Sequence, residues 1–195
     1  MSQPRAPASS VRIVGGRFRS RRVPFEPGPG LRPTPDRVRE TLFNWLVPVV
    51  TGARCVDLYA GTGALGIEAV SRGASSSLLI ESDRRRAGAL TATCAQFDVD
   101  RLRVVHADAL AWLDAAAPGS IDIAFVDPPF ADRLHARTVE RLASTCVLAP
   151  GAHVYIEYPL TGPAPDCPAG WRRHRSQHAG DVAYDLWITP PGDPA

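Results

Sequence analysis

The 195-residue chain is 45% hydrophobic, enough for one well-buried domain with a small extension and too little for two large domains. It has no apolar run of bilayer length, and residues 1–10 lack the apolar core of a signal peptide, so the expectation is a soluble, cytoplasmic protein with no membrane contact. The net charge of +2 hides a basic arm on an acidic body: residues 1–39 hold nine arginines against Glu26 and Asp36, a balance of +7, and the other 156 residues sum to −5.

Such an arm points to a phosphate-bearing partner, with a solvated basic tail as the alternative. Residues 1–10, with Pro4, Pro7, Ser9 and Ser10, read as a disordered lead-in. Residues 11–33 read as a basic hairpin arm and linker: Val11-Arg12-Ile13-Val14, a Gly15-Gly16 turn, a strand through Val23 carrying Arg17, Arg19, Arg21 and Arg22, then a Pro- and Gly-rich stretch. The main domain, residues 34–195, opens with a helix punctuated by Thr34 as N-cap, Pro35 at the first helical position and Asp36 in the first turn. Val38, Leu42, Trp45 and Leu46 share its apolar face, which leaves Arg37 and Arg39 as expected surface residues.

From Cys55 strands and helices alternate. Strands are expected at 55–59, 76–81, 103–106, 121–126 and 153–157, with helices at 64–72, 84–97, 110–116 and 134–146. Short apolar strands each followed by a helix imply a parallel sheet covered on both faces. Residues 171–188, with alternating apolar positions around 178–181, read as an antiparallel hairpin. Cys55, Cys94, Cys146 and Cys167 show neither a CxxC pair nor a histidine at ligand spacing, so they read as reduced, mostly buried thiols, with no metal site.

Two turns carry chemistry. Asp57-Leu58-Tyr59-Ala60-Gly61-Thr62-Gly63 joins a strand to a helix start, and its glycines allow a cofactor to lie against backbone and helix N-terminus. Glu81, about twenty residues on, suits a ribose whether the cofactor is a nicotinamide dinucleotide or another nucleoside. Asp57 and Asp108 add carboxylates at further strand ends, although core burial and helix capping explain such residues equally well. The second turn, Asp127-Pro128-Pro129-Phe130, follows an apolar strand with two prolines that cannot continue its ladder. It gathers a carboxylate, a free carbonyl and an aromatic face, a pocket for a planar amine. Asp83 reads as a helix cap.

The DxxxGxG turn, the acid closing the second strand and the DPPF turn resemble class I S-adenosylmethionine-dependent methyltransferases. The segments Arg12-Ile13-Val14-Gly15-Gly16-Arg17-Phe18-Arg19-Ser20-Arg21 and Gly30-Leu31-Arg32-Pro33-Thr34-Pro35-Asp36-Arg37-Val38-Arg39-Glu40 resemble the signature of the RsmD family, bacterial methyltransferases of guanine N2 in 16S rRNA. The resemblance implies an α/β, Rossmann-like class I fold: a mostly parallel seven-stranded sheet with helices on both faces, an antiparallel C-terminal hairpin and an N-terminal β-hairpin extension. It implies S-adenosylmethionine as cofactor, held by Asp57, Tyr59, Gly61, Thr62, Gly63, Glu81, Asp108 and Ala109. Gly61 and Gly63 would line its methionine part, Glu81 would take the ribose hydroxyls, and Asp108 and Ala109 the adenine. Asp127, Pro128 and Phe130 would be catalytic, and Arg12, Arg17, Arg19, Arg21 and Arg22 would contact RNA. The implied partner is 16S rRNA in the small subunit or its assembly intermediate, met by a monomer. Adenine-N6 methylation, a non-catalytic assembly factor and a nicotinamide oxidoreductase remain as alternatives.

Overall fold

The structure is a computed structural model and describes residues 9–28, 31, 33–97, 100–130 and 133–192. The expected lead-in lies outside the described residues as far as residue 8, and Ser9 and Ser10 are already in a strand. Strands β1 (Ser9–Arg12) and β2 (Arg22–Phe25) pair antiparallel with Val11 opposite Val23. The hairpin is present, but its Gly-Gly turn is not: residues 13–21 form a wider loop containing a 3-10 turn at Gly16–Phe18. Gly16 has φ +73°, and a Cβ there would lie 2.0 Å from the Ser71 carbonyl oxygen, so glycine serves close docking rather than chain reversal.

Helix α1 (Asp36–Leu46) starts one residue later than expected, with Pro35 at the N-cap position and no side-chain cap. Thr34 therefore lies one residue outside the N-cap position, where its carbonyl accepts from Arg39 Nε at 3.1 Å. Then come β3 (Arg54–Asp57), α2 (Ala64–Ser71), β4 (Ser76–Glu81), α3 (Arg84–Ala95), β5 (Leu102–His106), α4 (Ala109–Ala115), β6 (Ile121–Val126), α5 (His135–Ser144), β7 (Leu148–Pro159), β8 (Arg172–Ala179) and β9 (Val182–Ile188). The seven main strands are ordered β5-β4-β3-β6-β7-β9-β8, with β3 to β7 parallel and β9 antiparallel to both neighbours. Strand order reverses between β3 and β6, the position where open α/β sheets bind ligands.

Alternate residues of each strand feed opposite cores. Cys55, Leu79, Ile123, Phe125 and Tyr155 pack with α1, α2, α3 and the hairpin, while Val56, Ile80, Ala124, Val126 and Val154 pack with α4 and α5. Ile13, Phe18 and Val23 of the hairpin belong to the first core, and Phe18 meets Phe97 edge-on at 5.0 Å. The arm is therefore docked on the body. Arg39, expected on the helix surface, is wholly buried, because the hairpin closes over it. Of the thiols, Cys55 and Cys94 are buried as expected, whereas Cys167 is half-buried and Cys146 is exposed. Among the described residues no helix is long and apolar enough to cross a membrane.

Candidate active site

A cleft of about 570 Å³ opens at the carboxyl ends of β3 to β7 and is roofed by Leu31, Pro33, Thr34 and Pro35 from the segment before α1. Its lining includes Asp57, Tyr59, Gly61, Thr62, Glu81, Asp108, Ala109, Asp127, Pro128 and Phe130. One expected residue is missing from that lining: Gly63. Its φ is +75°, and a Cβ would meet Leu90 Cδ1 at 2.5 Å and Leu79 Cδ2 at 3.1 Å. Gly63 thus lets α2 start and lie close to the sheet.

Gly61, at φ +51°, donates its N–H to Glu81 Oε2 at 3.1 Å. The other oxygen of Glu81 accepts from Asp83 N at 2.8 Å and from the Arg86 guanidinium at 3.1 Å. Asp83 caps α3, accepting from Arg86 N at 2.8 Å. Asp108 both lines the cleft and caps α4, accepting from Ala111 N at 3.0 Å. The Tyr59 hydroxyl is tied to the Thr138 hydroxyl on α5, which fixes its ring. Asp57 is buried, accepts from Gly66 N at 3.2 Å, and is pushed up to about 7 by that burial.

Two carboxylates face Asp127. Burial first, then Glu157 and Asp57, hold its carboxyl well above the usual range, opposed by the polarity of the nearby Thr34 hydroxyl. The Tyr155 hydroxyl donates to Glu157 Oε1 at 2.8 Å, and burial followed by Glu157 keeps that phenol protonated. Phe130 lies at the rim, 36% exposed, with its ring centroid 5.8 Å from that of His135. Three residues that the sequence pattern does not single out thus enter the site: Thr34, Arg86 and Glu157. Glu157 carried the same signal as Asp57, an acid closing an apolar strand; Thr34 reads as an N-cap, and Arg86 falls in the first turn of the helix expected from residue 84.

The five arginines expected at RNA divide. Arg12 pairs with Asp36 at 3.1 Å, and Arg21 lies 4.1 Å over the Phe97 ring. Arg22 reaches Ser10 Oγ at 3.0 Å, Arg17 sits 5.4 Å over Phe18, and Arg19 is exposed. The loop bearing Arg17 and Arg19 rests on Ser71 and Phe97, at or beyond the carboxyl ends of α2 and α3, whereas the cleft adjoins their amino ends.

Fold and cleft together define a class I S-adenosylmethionine-dependent methyltransferase. The model of the family described as conserved hypothetical protein 95 matches residues 11–188, and the chain belongs to this family, the RsmD family. It is 44% identical over 180 residues to ribosomal RNA small subunit methyltransferase D of Escherichia coli K12, covering 92% of this chain and 90% of that protein. The solved structure of the Escherichia coli protein yhhF superposes with TM-score 0.87 at 41% identity, covering 94% of this chain and all of that one. An RNA methyltransferase from Salinibacter ruber, solved with S-adenosyl-L-homocysteine, shares the fold at TM-score 0.62 and 17% identity, over 84% of this chain and 97% of that one. The residues present fit the cofactor: the cleft is nucleoside-sized, and the Glu81 carboxylate lines it beside the Gly61 turn, whose φ of +51° favours glycine.

Proposed function

We propose that the protein transfers a methyl group from S-adenosylmethionine to the exocyclic N2 of a guanine in 16S rRNA, and that it acts as a cytoplasmic monomer on a partly assembled small subunit. In this reading residues 34–195 form the catalytic domain and residues 11–33 its RNA-facing arm. The observation that carries the proposal is Asp127, half-buried in the wall of the cleft at the strand-order reversal, with Phe130 exposed at its rim. The family and the named relatives support ribosomal RNA as the substrate.

The cofactor supplies an electrophilic methyl group on a sulfonium. Glu81 would hold its ribose, Asp57 its amino group, Gly61, Thr62 and Tyr59 its methionine part, and Asp108 with the Ala109 N–H its adenine. An aryl amine is a poor nucleophile because its lone pair is delocalised into the ring. With its N–H groups donated to the Asp127 carboxylate and the Pro128 carbonyl, the nitrogen is held nearer to tetrahedral and its lone pair is aimed. Phe130 stacks on the base and sets its plane. Asp127 then takes the proton that the methylated nitrogen releases, which suits a carboxyl whose proton affinity burial has raised. A base stacked in a helix or loop must first be extruded.

The turn reads an amine rather than a whole ring, so adenine N6 is the second reading. Nucleoside digestion of methylated particles followed by mass spectrometry separates the two. N2-methylguanosine is expected, and N6-methyladenosine overturns the guanine assignment.

A further inference from the structure

The wholly buried Arg39 shares its guanidinium among four acceptors. Its Nε donates to the Thr34 carbonyl at 3.1 Å, in the segment that roofs the cleft. Its Nη atoms reach the Arg12 carbonyl of the hairpin at 2.7 Å, Glu68 Oε2 of α2 at 3.3 Å, and Asp36. Glu68 is also wholly buried: Oε2 accepts from Val14 N at 2.8 Å, and Oε1 from Gly15 N at 2.7 Å and Arg72 Nε at 2.8 Å. Three residues further along α2, the Ser71 hydroxyl accepts from Phe18 N at 2.8 Å and donates to the Gly15 carbonyl at 2.6 Å. A buried ion pair is often no more stabilising than apolar residues of the same volume, and losing one partner strands the other. What a guanidinium adds is a rigid fork of donors with fixed partners. Here the fork joins the hairpin to the cleft roof. The helix that holds the hairpin also meets the cleft directly, through Ala64 and Leu65 at its amino end.

We propose that Arg39 is a positioning residue for cofactor binding: with Glu68 it locks the cleft roof to the docked hairpin, so that docking and cofactor occupancy stabilise each other. This rests on the cleft being the S-adenosylmethionine site. The coupling follows from linkage. When the hairpin lifts, Glu68 loses two backbone donors and Arg39 loses its Arg12 acceptor, so the roof loses its anchor and the cleft holds its ligand less tightly. A ligand that prefers the docked form suppresses the lifted form by the ratio of the two affinities. The Val14 and Gly15 N–H groups report on it, because they exchange with solvent when the hairpin lifts off Glu68.

The test starts from the full-length wild-type protein. Hydrogen exchange at Val14 and Gly15 is followed with and without saturating S-adenosylhomocysteine. The N–H groups of Gly119 and Ser120, bonded to the Cys146 and Val147 carbonyls before the start of β6, serve as controls away from the cleft. The ligand is expected to slow exchange at Val14 and Gly15 about tenfold, within the usual range for coupled sites, and to leave the controls unchanged. Arg39→Lys keeps the charge without the fork, and Glu68→Gln keeps the shape and one acceptor oxygen. Calorimetric titration of each should show S-adenosylhomocysteine bound about tenfold more weakly, and the slowing at Val14 and Gly15 should shrink in step. Exchange at Val14 and Gly15 that ignores the ligand, or slows no more than at the controls, overturns the proposal even if neither variant folds. Unchanged ligand affinity in a folded Arg39→Lys protein does the same. Failure of the wider reading looks different: a wild-type protein that does not bind S-adenosylhomocysteine in the calorimeter removes the cleft assignment, and the coupling with it.

Discussion

Glu81, buried, and Asp127, half-buried, are both carboxylates at the carboxyl ends of parallel strands, and their surroundings are opposite. Glu81 is enclosed by donors: two backbone N–H groups and a guanidinium fix both of its oxygens. Asp127 is enclosed by acids, with Glu157 and Asp57 opposed by one threonine hydroxyl. In the proposed reading one carboxylate is preoriented to hold a ligand and the other is placed to take up a proton. On that reading the cleft divides into a cofactor half over β3, β4 and β5 and a transfer half over β6 and β7.

The largest expected effect breaks the transfer half. Asp127→Asn keeps shape and removes the proton acceptor, and transfer of labelled methyl should fall by about 10² to 10⁴, the usual range for a positioned acid or base. Stabilisation by S-adenosylhomocysteine should persist. In the cofactor half the pattern inverts: Glu81→Ala should weaken cofactor binding by about 10- to 100-fold, the cost of removing a charged acceptor of hydroxyls. At saturating cofactor its turnover should approach that of the native enzyme. Calorimetric titration of both variants decides, and equal cofactor affinity for Glu81→Ala and wild type would dissolve the division.

Asp57 sits between the halves and sharpens the comparison through pH. Its carboxyl is pushed up to about 7 in the folded protein from an ordinary 3.8. Between those values the folded state binds more protons than the unfolded chain, so this group's contribution is most favourable below pH 4 and is lost as pH rises towards 7. Ionised at pH 8 it costs on the order of 4 kcal/mol at most. Asp57→Asn should therefore raise the melting temperature of the ligand-free protein at pH 8 by several degrees, with the gain shrinking through pH 6 and vanishing below pH 4. The same variant should bind cofactor more weakly, a stability gain taken from function.

How far the sequence reveals this division depends on the range of each interaction. The alternation of β3 to β7 with α2 to α5 is legible because strand and helix periods differ within a few residues, and element ends shift by only a few positions in most cases. Asp57, Glu81, Asp108 and Asp127 are legible because each stands at a strand end beside a glycine, a helix start or a proline pair. Arg39 is not legible: three residues from Asp36 it has the spacing of a surface ion pair, and its burial comes from a hairpin some twenty residues earlier in the chain. Thr34 has the pattern of an N-cap, but the helix begins one residue further on and the Thr34 carbonyl is taken by the Arg39 guanidinium. Gly63 belongs to a cofactor-binding pattern but answers to Leu90, on a helix that the pattern does not include.

The smallest expected effect concerns the arm. Deleting residues 1–22 would strip Ile13 and Phe18 from the core and leave Glu68 without its backbone donors, so a deletion reports on folding rather than on RNA. Point changes separate the two. Arg12 and Arg21 have intramolecular work in Asp36 and Phe97, whereas Arg17 and Arg19 stand on the loop at the far ends of α2 and α3. With α3 twelve residues long, that loop lies about 18 Å from the cleft along the helix. RNA that fills the cleft and also touches the loop must follow the hairpin face over that distance. Arg17→Ala with Arg19→Ala should then leave kcat unchanged, weaken particle binding uniformly, and reduce the slope of log Kobs against log salt by about 0.7 to 0.9 for each phosphate no longer neutralised. An unchanged slope would confine the RNA footprint to the cleft rim, and the arm would then serve the cleft only by packing on Glu68 and Arg39.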